Sequence, residues 1–150
     1  YMDQVTTFMD EHLAACRRTD DDKILTKTMI NNYSKAKVIT PVKGKKYTKE
    51  QIIQMLIIYQ LKNNLSIQEI KDLLTPIYEN NDDLSNLYDH FIDIKHSLNF
   101  QLQKMIQKIM DDYQLKIENY QDLFLLVAIL SSLSHSLTNI AEMLIETKEI

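Results

Sequence analysis

Gly44 is the only glycine in 150 residues, and there are only two prolines. Sheets and nucleotide-binding α/β folds turn often and lean on these two residues to do so. A chain this poor in both is directed toward long helices and few loops. A β-sandwich, a Rossmann-type fold and any glycine-rich phosphate loop are excluded on the same ground. The 45% hydrophobic and 25% charged content is that of a globular protein with a core. The expected class is mainly all-α.

Gly44 lies within Val38 to Thr48, a run flanked by β-forming residues. A tight turn needs a residue that takes positive φ without steric cost, and glycine does. Pro41 stands where an edge strand can spare an N–H. The run therefore predicts a small β-hairpin wing at 38–48. Three lysines, Lys43, Lys45 and Lys46, cluster at its tip. They suit either a phosphate contact or a charged edge that blocks aggregation.

Charge sharpens the choice. Nine lysines and one acid, Glu50, fall between Lys23 and Lys62, a net +8 inside a chain of net charge −4. From Asn63 onward six lysines face fourteen acids. A basic block in an acidic protein is the footprint expected where a phosphate backbone docks. Just before the hairpin, Thr26 can cap a helix running to Ala36. Met29, Ile30, Tyr33 and Ala36 share its apolar side. Lys27, Thr28, Asn31 and Lys35 share a polar, basic side, matching what a groove-reading helix needs: lysine for phosphate, Asn or Thr for base edges. An ordinary surface helix has the same pattern, so the neighbouring loop carries the sharper reading.

Met29-Ile30-Asn31-Asn32-Tyr33, then Val38-Ile39, Pro41 and Lys45-Lys46-Tyr47-Thr48, together resemble the DNA-binding head of MerR-type regulators. Glu50-Gln51-Ile52 and the segment Leu65 to Leu74 are similar to the third and fourth helices of that head, and the likeness covers about a third of the chain. Tyr1-Met2-Asp3-Gln4 and Leu25 to Tyr47 resemble, more narrowly, the uncharacterised bacterial family known as domain of unknown function 1836. The resemblance implies a winged helix-turn-helix, with Tyr33 half structural and half phosphate contact, and Tyr47 beside the wing lysines. Asn31 departs from the arginine usual in such heads. Asp20-Asp21-Asp22 intervene where the first helix of the motif normally lies.

Elsewhere the periodicity is plain. Asp3 to about Arg18 reads as an amphipathic helix, on which His12 and Cys16 share a face. Two such residues make a poor metal site, and packing explains them as well. Thr48 to Gln51 and Ser66 to Glu69 are capping boxes. The first opens a helix apolar on two sides, hence buried between layers. The second opens a helix ended by Thr75-Pro76. Leu84 to Tyr113 carries Leu84, Leu87, Phe91, Ile94, Leu98, Leu102, Met105 and Ile109, a heptad seam with one stutter near Leu98. Tyr120 to Thr147 has a wide apolar arc. Joined through 114–119 the two form a hairpin, and two hairpins make a four-helix bundle. That predicts a homodimer through 84–147, the alternative being one compact monomeric bundle. The expected domains are a head, 1–76, and a dimerisation body, 77–150.

Catalytic signals are absent. His90 and His96 lie on different helix faces, and His135 sits among serines suited to close helix packing. Asp111, Asp112 and Glu118, or Glu142 and Glu146, could hold Mg²⁺ only in a metal-dependent helical hydrolase, a remote alternative. No cofactor or metal is expected, and no residue set specifies an effector. One cysteine fits a reducing cytoplasm. The start carries no signal-peptide pattern, and the longest apolar run, Leu123 to Leu130, is short of the ~20 residues that span a bilayer. The reading is a cytoplasmic, non-enzymatic regulator that binds double-stranded DNA. Its residues are Lys27, Thr28, Asn31, Tyr33 and Lys35 on the helix, and Lys43, Lys45, Lys46 and Tyr47 on the wing. The rival is a protein- or ligand-binding module that keeps the fold without binding DNA.

Overall fold

The computed structural model describes residues 1–13 and 24–149. Its six helices, in order, are α1 (Met2–His12), α2 (Lys27–Lys35), α3 (Lys49–Leu61), α4 (Ile67–Glu79), α5 (Leu84–Asp112) and α6 (Tyr120–Thr147). Arg17, Arg18, Cys16 and the triple aspartate lie outside the described residues, so the expected extension of the first helix to Arg18 and the His12–Cys16 face do too. The chain divides into two compact units, Tyr1–Tyr88 and Asp89–Ile150. The boundary falls inside α5, twelve residues later than the sequence-based division after residue 76.

The first unit has one core. Val5 and Met9 of α1, Ile30 and Tyr33 of α2, Met55 and Ile58 of α3, and Ile70 and Leu74 of α4 meet there with Ile24, Leu25, Val38 and Ile39. Local chemistry starts each helix where the sequence indicates. Thr26, Thr48 and Ser66 each accept a hydrogen bond from the backbone N–H three residues on, and Gln51 and Glu69 complete reciprocal capping boxes at the last two. α3 is apolar around most of its girth, and core residues flank it on several sides, as expected for a buried helix.

Helix ends show how the chain copes with one glycine. Lys37, Asn81 and Gln114 adopt left-handed φ of 63°, 54° and 55°. At each, the N–H of the following residue reaches back to a carbonyl in the last helical turn: Val38 to Tyr33, Asp82 to Ile77 and Leu115 to Met110. These are Schellman closures built without glycine. The satisfied carbonyls offset a left-handed conformation that costs a non-glycine residue about 1 kcal/mol.

Two expectations are corrected. α4 does not stop at Thr75-Pro76; it runs through Pro76 to Glu79. Proline removes one hydrogen bond from the ladder. The extra turn is held by Ile77 and Tyr78, which pack against the core, and by the Tyr78 hydroxyl, which donates to the Val38 carbonyl at 2.8 Å. The β-hairpin wing is also absent: residues 38–48 contain no strand, and there is none among the described residues. The backbone polar groups that a hairpin would pair with each other are taken by α3. Gln54, fully buried, accepts from the Thr40 N–H at 2.9 Å and from its hydroxyl at 3.3 Å. Gln51, 4% exposed, donates to the carbonyls of Thr40 and Pro41, both at 3.0 Å, while its Oε1 accepts from the Thr48 N–H at 2.8 Å. Gly44 does take positive φ, 78°, at the tip of the resulting loop.

In the second unit, the remainder of α5 and all of α6 form a hairpin connected through 113–119, with Leu126 buried. Asn119 caps α6 by accepting from the N–H groups of Gln121 and Asp122. Many large apolar side chains of both helices stay exposed, among them Leu98 at 52%, Phe124 at 64% and Leu137 at 67%. α6 is also long and apolar enough to cross a membrane by length and composition, with a mean hydropathy of 1.7 over its most apolar window. An unbroken apolar run is too strict a measure here, because serine and threonine interrupt the run yet lower the window average only slightly.

Gln54→Leu keeps the volume of this buried side chain and removes its acceptor. The variant should lose about 1–3 kcal/mol of unfolding free energy, the cost of leaving a buried donor unsatisfied, read as a lower urea midpoint at unchanged slope. An unchanged midpoint would mean that the Thr40 N–H finds another acceptor.

Candidate nucleic-acid interface

α2 divides cleanly. Ile30 is fully buried and Tyr33 is 8% exposed, while Lys27, Thr28, Asn31 and Lys35 are all exposed on the other side. The Schellman turn at Lys37 then drives Val38 and Ile39 into the core. Anchored there, the chain leaves for the surface at Pro41 and presents Lys43, Gly44, Lys45 and Lys46, all exposed. It returns through Tyr47, partly buried, to the capped start of α3. The loop is held at both ends: by Gln51, Gln54 and Tyr78 at its entry, and by Gln51 again at Thr48.

The N-terminal segment touches both halves of this surface. Lys27 forms an ion pair with Asp3 of α1. That lysine, by hydrogen bond and by charge, holds the Asp3 carboxyl below its ordinary range. The Lys46 ammonium lies 5.5 Å from the centroid of the Tyr1 ring, and the Tyr47 hydroxyl is 3.8 Å from the Met2 sulfur. Lys27 therefore carries a competing carboxylate, and Tyr47 leans on α1. Tyr33 is a core residue. Burial pushes the phenols of Tyr33 and Tyr47 up, so neither ionises near neutrality. Of the nine residues singled out in the sequence, seven form an exposed polar and basic set on α2 and the loop: Lys27, Thr28, Asn31, Lys35, Lys43, Lys45 and Lys46.

Sequence reasoning missed Gln51, Gln54, Tyr78 and Asp3. The first two carry a readable signal: glutamines three apart within the apolar part of a helix apolar on two sides are placed for burial, and a buried amide must find partners. The other two act over sequence separations that no local pattern reveals.

Two of the acids considered for Mg²⁺, Asp111 and Asp112, are engaged by local partners. Asp111 accepts from Gln107 at 2.9 Å and Asp112 pairs with Lys108 at 2.6 Å. Among the described residues no group of three or more His, Cys, Asp or Glu is placed to hold a metal ion. The His12 ring stacks on Phe8, with centroids 3.9 Å apart, and its Nδ1 lies 3.0 Å from the Phe8 carbonyl oxygen.

An all-helical protein whose first unit carries a clamped basic loop beside a short capped helix is thus defined. The chain belongs to the family described as domain of unknown function (DUF1836), which matches residues 1–91 and so spans the whole first unit. No curated protein and no solved structure matches it.

Tyr78 provides a pH test of the loop clamp. Burial, and secondarily the Glu50 carboxylate, push its phenol above the ordinary value of 10.0. The folded state then holds the proton more tightly than the unfolded state. The resulting stability is complete below pH 10 and is lost as pH rises from there through the raised folded value. Tyr78→Phe should cost about 1 kcal/mol near neutrality, the worth of one hydrogen bond. It should also flatten the alkaline loss of stability without abolishing it, since Tyr33 and Tyr47 contribute in the same sense. Thermal melts across the alkaline range check both effects.

Proposed function

We propose that the first unit binds duplex DNA in the manner of a MerR-like head, with α2 in the major groove and the 38–48 loop on the flanking phosphates. One observation carries this reading. Six lysines of the +8 block, Lys27, Lys35, Lys37, Lys43, Lys45 and Lys46, lie exposed on two adjoining segments, α2 and the loop that follows it, while Val38 and Ile39 between them are buried. The loop is clamped from within by buried glutamines, so its cations are presented at low conformational cost, as a phosphate contact requires. In this proposal Thr28 and Asn31 offer the hydrogen-bonding groups that meet base edges, and Lys27, Lys35, Lys43, Lys45 and Lys46 the charges that meet phosphates. Tyr33 sets the angle of α2 from the core rather than touching DNA.

A second reading has its own support. Asp3 already occupies Lys27 with a carboxylate, so the same surface suits an acidic protein segment in a chain that keeps the fold without binding DNA. The two readings separate by salt dependence and by competition with an acidic polymer. In both, the protein is a binding module rather than an enzyme, and the cytoplasm is its proposed location.

Fluorescence anisotropy with random-sequence duplex DNA tests the proposal. Binding should weaken steeply with salt, and Lys43/Lys45/Lys46→Ala should lower the slope of log affinity against log salt by about two to three units. If wild type and variant both ignore DNA, the proposal fails. Asp3→Asn offers a complementary gain. It releases Lys27 from its carboxylate, so affinity should rise and the salt slope steepen by about one unit. A fall in affinity would show that the pair serves to position α2.

A further inference from the structure

The second unit exposes eighteen large apolar side chains. We propose that those on one side of each helix are covered by the same hairpin of a second copy of this chain, giving an antiparallel-hairpin dimer with a four-helix bundle at its centre. The inference is independent of DNA binding.

Area is the first argument. A standard protein interface buries about 800 Å² per partner. The eight stripe residues named below supply most of that area at roughly 80 Å² each. Periodicity is the second. On α5, Ile94, Leu98, Leu102 and Met105 are 42–52% exposed, at steps of four, four and three. On α6, Leu133, Leu137, Ile140 and Leu144 are 37–67% exposed, at steps of four, three and four. Each set forms a stripe along one face of its helix. Such spacing is what knobs-into-holes packing against another helix requires, whereas a lipid surface imposes no register. The hairpin's own packing reaches Ile109, Met110, Leu123 and Leu126 near its connection and Ala141 and Ile145 farther along α6, and leaves both stripes in solvent.

Charge selects the occupant. The face of α5 opposite its stripe carries Asp89, His96, Lys104 and Gln107, so α5 cannot cross a bilayer. Were α6 alone to enter one, the α5 stripe would remain in water. Between Asp122 and Glu142, α6 has no charged residue, and no stripe position on either helix is charged. A two-fold pairing therefore sets apolar stripes against each other with no like charges between them. An isologous interface needs one self-complementary patch, and this hairpin has it. The stutter at Leu98, where two steps of four follow each other from Ile94 to Leu102, marks where the two hairpins relax their supercoil.

Light scattering coupled to gel filtration on the full chain at micromolar concentration reads the mass directly. Twice the chain mass of 17.7 kDa is expected, and a mass of 17.7 kDa across the range overturns the proposal. Leu98→Glu combined with Leu137→Glu should halve the mass. Persistence of the dimer in this variant places self-association elsewhere and also overturns the proposal. Because the variant can lose helix along with its partner, a photo-crosslinking residue at Leu98 or at Leu137 gives a reading in protein that stays folded. Either position should yield a band of double mass under irradiation, while Gln107, on the opposite face of α5, should yield none. Absence of the band at both stripe positions overturns the proposal. So does co-flotation of monomer with phosphatidylglycerol–phosphatidylcholine vesicles, which makes the bilayer the occupant.

Discussion

The first unit depends on two buried amides. Gln51 and Gln54 sit in the most apolar helix of this unit, where an unpaired amide would cost about 1–3 kcal/mol, comparable to what a buried leucine contributes. Their partners are the backbone groups of Thr40, Pro41 and Thr48, together with the Thr40 hydroxyl. The dependence runs both ways. Without α3 the loop at 38–48 would need a strand partner for its N–H and C=O groups; without the loop, α3 could not bury its amides. Tyr78 closes the arrangement from α4 by capping the carbonyl of Val38.

That clamp explains how a loop so rich in lysine holds a shape. Like charges at a turn repel one another, and a turn held only by its own backbone would splay. Here Val38 and Ile39 are buried and the next two carbonyls are tied to α3, so repulsion among Lys43, Lys45 and Lys46 is borne by the core rather than by the turn. α1 adds a counterweight, setting the Asp3 carboxylate against Lys27 and the Tyr1 ring under Lys46. The surface is thus basic yet partly neutralised by the protein itself, a balance that a competing polyanion would shift.

The second unit poses the opposite problem. Its helices are long and locally sound, yet among the described residues a single buried leucine stands against eighteen exposed large apolar side chains. Helix propensity supplies little net stability in water, and most comes from burying an apolar face. An isolated hairpin of this composition is therefore an incomplete structure, one whose missing layer must come from outside the hairpin.

Much of this was legible in the residues. The starts of α2, α3 and α4 follow from Thr26, Thr48 and Ser66, and both long helices match their hydrophobic periods to within a residue or two. Cap hydrogen bonds and heptad steps link residues three or four apart, so a linear string contains them whole. Strand or loop at 38–48 and the extra turn of α4 beyond Pro76 were not contained in that way. Each rests on contacts between distant residues, such as Thr40 with Gln54 and Tyr78 with Val38. The sequence by itself determined where helices begin and which faces are apolar, because those are matters of local hydrogen bonding and period. Only the tertiary structure decided what the polar backbone of the basic loop bonds to, because a hairpin ladder and a buried glutamine satisfy the same groups and packing chooses between them.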